Sequence, residues 1–158
     1  MDQIQIDKIK DLIEYERNRK SPPISFPKLP DLPGKRYTDK EFFELEKDNL
    51  WKKTWLLAGH LDEIPDKGCY KLWEKTGQPV ILVRKNKDEV AAYYNMCRHR
   101  GAAIVREEYG KTKSLLCGYH GWKYNLDGEL VGKRDPQDFI DFDNSCRSLH
   151  KIKIELLG

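Results

Sequence analysis

Two thiols and two imidazoles stand close together in this chain at spacings that suit metal chemistry. Cys97-Arg98-His99-Arg100-Gly101-Ala102 holds a C-x-H pair and Cys117-Gly118-Tyr119-His120-Gly121-Trp122 a C-x-x-H pair, with 17 residues between His99 and Cys117. Thiolates and neutral imidazoles are transition-metal ligands, and the glycine that closes each segment allows a tight turn. The pattern therefore predicts two loops presenting four ligands to one inorganic centre. Tetrahedral zinc is one reading of such a set. Zinc modules commonly group their cysteines together and their histidines together, however, and here each loop carries one of each. That mixture fits a [2Fe–2S] centre in which one iron takes both cysteines and the other both histidines. With two thiolates and two neutral imidazoles the oxidised centre has a formal charge of about zero, against about −2 for four thiolates, so it takes up an electron more readily.

The remaining composition is that of a folded domain. The chain has 158 residues, enough for one domain with a real core, and its 29 basic and 26 acidic side chains are too evenly matched to indicate a nucleic-acid partner. No apolar run approaches the roughly 20 residues that cross a bilayer. Met1 leads into a polar, charged stretch rather than a signal sequence. The expectation is a cytoplasmic protein with no membrane and no nucleic acid among its partners. Cys69 and Cys146 have no C-x-x-C or histidine neighbourhood, so they are expected as buried or half-buried thiols. His60 and His150 lie in unrelated contexts and are expected as structural or surface side chains.

These ligands need elements to carry them. Apolar residues at helical spacing among charges predict an amphipathic helix from Ile4 to Arg19. Ser21 to Pro33 contains five prolines and is expected as an extended connector. Thr38 as N-cap with Glu41 three residues on predicts a second helix to about Lys53, its apolar stripe of Phe42, Phe43, Leu45, Leu50 and Trp51 facing a core. After it the texture becomes β. Strands are expected at Trp55–Ala58, Cys69–Trp73, Val80–Arg84 and Val90–Tyr94, at Tyr93–Met96 and Ser114–Leu116 before the two ligand pairs, and in a hairpin around Asp127-Gly128. Gly132 to Asn144 reads as a surface loop or helical turn, and Lys151 to Leu157 as a strand with Ile152 and Ile154 on one face. The chain stops straight after that strand, where a turn and a return partner are expected, so the domain is expected to be truncated there. The organisation so read is a helical arm and connector over residues 1–37 and a mainly β domain over residues 38–158.

On its motifs, CRHRGA followed by CGYHGWKYNLDGEL, the chain resembles the N-terminal Rieske [2Fe–2S] portion of the α subunit of aromatic-ring-hydroxylating oxygenases, from about Thr38 to Gly158. The resemblance implies a small antiparallel β-sandwich with two cluster-binding loops, preceded by two N-terminal helices. It also implies that Cys97 and Cys117 bind one iron and that His99 and His120 bind the other through their Nδ atoms. His120 would then meet, through its Nε, a carboxylate of a neighbouring subunit's catalytic domain, in an assembly that is typically trimeric. Electrons would arrive from a reductase or ferredoxin and leave for a mononuclear iron, the whole enzyme oxygenating its substrate with NAD(P)H as reductant, with dihydroxylation of an aromatic ring as the expected reaction. That iron needs two histidines and a carboxylate. Only His60 and His150 remain for it, so it and the substrate pocket would lie in a catalytic domain this chain does not carry. Alone, the chain is expected to lack oxygenase activity. A stand-alone Rieske-type ferredoxin and a zinc-stabilised binding module are the alternatives.

Respiratory Rieske proteins carry an extra cysteine in each loop, joined as a disulfide, and a serine after the last His-Gly that donates to the cluster. Ala102, Tyr119 and Trp122 occupy those places here. With that hydroxyl donor missing, the potential is expected toward the low end of the Rieske range. Between residues 84 and 123 nine basic side chains face four acidic ones, an excess that suits an acidic donor or is no more than separate solvated charges.

Overall fold

The computed structural model describes residues 2–23, 27, 30–139 and 143–157. The chain divides into two compact units, Met1–Phe43 and Glu44–Gly158.

In the first unit, helix α1 (Gln3–Asn18) is capped by Asp2, whose carboxylate accepts the Gln5 N–H at 2.8 Å. Ile4, Ile9, Leu12 and Ile13 along it are exposed. The expected proline-rich connector lies partly outside the described residues. Helix α2 (Lys40–Glu46) is capped by Asp39 rather than by Thr38, because the Asp39 carboxylate accepts the N–H groups of Glu41 and Phe42 at 2.9 and 3.1 Å. Thr38 instead ends a 3-10 turn over Gly34–Tyr37. A π-type turn, Lys47–Trp51, extends α2. The apolar stripe expected to face a core is largely solvated, with Phe43, Leu45, Leu50 and Trp51 all exposed.

Among the described residues the second unit holds eight short strands. β1 (Cys69–Trp73), β2 (Val80–Arg84) and β3 (Val90–Tyr94) form an antiparallel meander, flanked by β4 (Tyr109–Lys111) on β1 and β8 (Lys151–Ile152) on β3. β5 (Leu115–Leu116), β6 (Lys123–Tyr124) and β7 (Leu130–Gly132) form a second antiparallel sheet. Alternation along β2 divides its side chains between two apolar clusters. Ile81 and Val83 point into the main core with Tyr93, Leu115, Tyr124 and Leu130, between the sheets, whereas Val80 and Leu82 join Ala92 on the outer face. The architecture is the expected mainly antiparallel β fold.

Two strand expectations need correction, and one strand, β4, was not expected. Residues 55–58 form no strand; only Ala58 packs on the outer face, and Trp55 and Leu57 are exposed. A period-two pattern without a ladder partner does not make a strand. β8 ends at Ile152, although Ile152 and Ile154 do share the outer face. β4 lacks a strand-like sequence because its centre is Gly110. A Cβ there would lie 2.5 Å from the Tyr70 hydroxyl, so glycine is what lets β4 close on β1.

The Glu63 carboxylate ties three segments together. It accepts from Lys71 Nζ at 2.5 Å, the Tyr109 hydroxyl at 2.9 Å and the His60 N–H at 2.6 Å. These donors, Lys71 foremost, hold its pKa at about 2 against an ordinary 4.5. A depressed folded-state value means that the contribution is complete above 4.5 and is lost as pH falls toward 2. The melting-temperature gap between the wild type and Glu63→Gln should therefore narrow from pH 6 to pH 3. An unchanged gap would refute this linkage.

Candidate metal centre

Both cysteine–histidine segments fold into the same turn. In the first, the Cys97 N–H donates to Ala102 O at 2.8 Å and the Gly101 N–H to Cys97 O at 2.9 Å. In the second, the Cys117 N–H donates to Trp122 O at 2.8 Å and the Gly121 N–H to Cys117 O at 3.0 Å. Gly101 and Gly121 have φ of +75° and +71°, a conformation that side chains disfavour, which is why each loop needs its glycine. On this common frame the histidine sits two residues after the cysteine in one loop and three after it in the other.

The turns set the two thiols in one core cluster and bring the two imidazole rings into contact. Cys97 and Cys117 are free thiols, 3% and 2% exposed, inside the main core. The His99 and His120 rings meet edge to face with centroids 4.7 Å apart. Trp122 lies flat on His99 at 4.8 Å and an interplanar angle of 7°, and is itself 2% exposed. The tryptophan is thus both core and one wall of the site. On the solvent side the exposed Tyr119 ring lies 3.8 Å from His120. Burial, with help from the charges of His120, Arg100 and Arg147, lowers the His99 pKa and favours the neutral ring. Burial pushes the Cys97 thiol up.

Over residues 54–143 the sequence matches the Rieske [2Fe-2S] domain. The chain belongs to this family.

The Rieske domain is also similar to named oxygenase subunits. It is 34% identical over 125 residues to the carnitine monooxygenase oxygenase subunit of Escherichia coli K12, a match covering 78% of this chain and 33% of the relative. It is 37% identical over 95 residues to the biphenyl dioxygenase α subunit of Metapseudomonas furukawaii, covering 60% of this chain and 21% of the relative. Among solved structures, naphthalene 1,2-dioxygenase superposes with a TM-score of 0.69 at 32% identity, over 75% of this chain and 27% of that one. The chain spans a third or less of the length of these curated relatives.

The family's cofactor is a Rieske [2Fe–2S] cluster, and the residues present fit it. Nδ1 of His99 is buried and has no hydrogen-bond partner, a defect that costs about 1–3 kcal/mol unless something binds there. Ligation by a metal removes it. Among the described residues no three His, Cys, Asp or Glu side chains converge as a single ion would require.

Sequence reasoning missed a donor to this site. The Tyr124 hydroxyl lies 3.3 Å from Cys97 Sγ and accepts the Arg98 N–H at 3.0 Å. The serine hydroxyl is absent after His120-Gly121, as the sequence reads, but a different hydroxyl stands against Cys97. Nothing in residue type flagged Tyr124; it lies 27 residues from Cys97 and reaches it from β6 only through the fold. Cys146, expected as buried or half-buried, is exposed, with its thiol 3.3 Å from Asp143 Oδ2, whereas Cys69 is half-buried as expected. Arg84, counted in the basic excess, is only 9% exposed and adds little to a docking surface. His60 caps a 3-10 turn and His150 is exposed, as their contexts suggest.

Proposed function

We propose that this domain is a one-electron relay in which Cys97 and Cys117 hold one iron of a Rieske [2Fe–2S] cluster and His99 and His120 the other. The observation that carries the reading is the buried, unpartnered Nδ1 of His99, set against His120 and beside two free core thiols. The bound cluster supplies reversible storage of one electron at a potential above that of all-thiolate clusters. The protein's part is to exclude water with Trp122, to keep both thiols from the solvent, and to present His120 toward the exposed Tyr119 side, where an electron can leave. In the intact protein the donor is a reductase or ferredoxin. The acceptor is a mononuclear iron in the remaining catalytic domain of an oxygenase α subunit, either its own or that of a neighbour in a trimer. By name the relatives act on substrates as different as carnitine and biphenyl, so electron delivery is the role they share, and aromatic-ring dihydroxylation is one reaction it could serve.

The test is electron paramagnetic resonance of the reconstituted, dithionite-reduced domain, with iron and sulfide analysis. The expected result is a Rieske-type signal with two irons and two sulfides per chain. A colourless protein that binds one zinc and gives no signal would overturn the assignment.

A further inference from the structure

The two ligand loops share a turn but are closed differently at their bases. Below the second loop β5 and β6 pair directly, Leu116 with Lys123 and Leu115 with Tyr124, so a backbone ladder joins the two ends. No such ladder spans the first loop. There the chain leaves β3 at Tyr94, and the next strand, β4, begins at Tyr109 and pairs with β1.

The ends of the first loop are joined instead by one side chain. Asn95 Oδ1 accepts the N–H groups of Ile104 and Val105 at 2.8 and 3.0 Å, and Nδ2 donates to Val105 O at 2.8 Å. One carboxamide thus supplies the donor and the acceptor that a facing strand would supply from its main chain. Asn95 is 5% exposed, and Ile104 and Val105 are 7% and 9% exposed, so water is a poor substitute partner. The Asn95 backbone is fixed in turn, because its N–H donates to Pro79 O at 2.8 Å just before β2. The bonds inside the turn, Cys97 to Ala102 and Gly101 to Cys97, shape it without attaching it to the sheet.

We propose that Asn95 is a positioning residue of the first ligand loop, its amide clamp on residues 104–105 acting beside the Tyr124 hydroxyl on the Arg98 N–H to set where Cys97 and His99 stand. The effect on the metal centre rests on the ligand assignment above; the clamp itself belongs to the polypeptide. No other side chain of similar size serves. Leucine would fill the space and leave two N–H groups and a carbonyl buried without partners. Aspartate keeps both accepted bonds but sets an oxygen against the Val105 carbonyl.

The experiment compares the wild type with Asn95→Ala, Asn95→Asp and a control, Leu82→Ala, which removes core volume from the outer face. In the cluster-free protein, exchange of the Ile104 and Val105 amides should quicken on the order of tenfold in Asn95→Ala and stay as in the wild type in Leu82→Ala. In the loaded protein both Asn95 variants should shift the g values of the reduced signal, and Asn95→Ala should lose iron on the order of tenfold faster. Leu82→Ala should melt lower with g values unchanged. Asn95→Ala with wild-type exchange at both amides, or with no more spectral change than Leu82→Ala, overturns the proposal. If Asn95→Ala does not fold, Asn95→Asp, alike in shape, decides it by the same spectral criterion. A wild type that takes up no cluster overturns the ligand assignment, while the exchange measurement still decides the clamp.

Discussion

Trp122→Ala should lower the stability of the domain by about 3–5 kcal/mol, the usual cost of removing a fully buried tryptophan. The side chain is 2% exposed, lies flat on His99 and meets Phe139 edge-on at 5.8 Å, so its removal opens a cavity against a ring that the site needs in one place. A domain of this size has a total stability of about 5–15 kcal/mol, so most molecules remain folded in the cold. The melting temperature should fall by about 10–20 °C. Trp122→Phe keeps an aromatic plate against His99 and should lose roughly half as much. Thermal unfolding followed by circular dichroism checks the stability, and the decay of visible absorbance in the loaded protein checks the site. Because water gains access to the His99 side of the cluster, bleaching should accelerate in Trp122→Ala even well below its melting temperature. A melting temperature within 2–3 °C of the wild type, a loss of under about 1 kcal/mol, would show that the stack and the burial contribute little.

Much of the site was legible because its chemistry restricts residue type. Two cysteines, two histidines and two glycines that must take positive φ leave few alternatives at six positions, and in the structure both thiols lie in one core cluster and the two imidazole rings meet. The meander β1–β3 was legible for a related reason, since Val80–Arg84 is apolar on both faces and has an apolar cluster on each side. Features that depend on proximity through space were not legible. β4 exists because Gly110 admits the Tyr70 ring, which no local pattern records. Trp55–Ala58 carries strand-like residues but has no strand to pair with. Asn95 and Tyr124 look like ordinary residues of a loop and a strand until the fold sets one amide across residues 104–105 and one phenol under Cys97. The cap of α2 was misplaced by one residue, since Thr38 and Asp39 are both competent and only the backbone decides which faces the helix.

Tyr124→Phe should lower the reduction potential of the loaded domain by about 40 mV. With Cys97 as a thiolate ligand, the phenol 3.3 Å away is the donor, since burial pushes its own pKa up and it cannot readily ionise. A hydrogen bond to sulfur favours whichever state carries more negative charge, and reduction adds an electron. The bond is therefore stronger in the reduced state and raises the potential. A difference of about 1 kcal/mol between the two states, typical of one hydrogen bond, corresponds to roughly 40 mV at 59 mV per tenfold for one electron. The substitution also takes from the Arg98 N–H its acceptor at 3.0 Å, so a loss of about 1–3 kcal/mol in stability should accompany the shift. The two effects are separable. Redox titration followed by circular dichroism or electron paramagnetic resonance reports the potential, and thermal unfolding of the cluster-free protein reports the lost acceptor. A folded Tyr124→Phe with an unaltered potential would mean that the phenol serves the Arg98 backbone alone. A fall of the expected size would mean that Tyr124 partly replaces the hydroxyl donor missing after the last His-Gly, placing this domain's potential above that of a Rieske cluster with no hydroxyl donor.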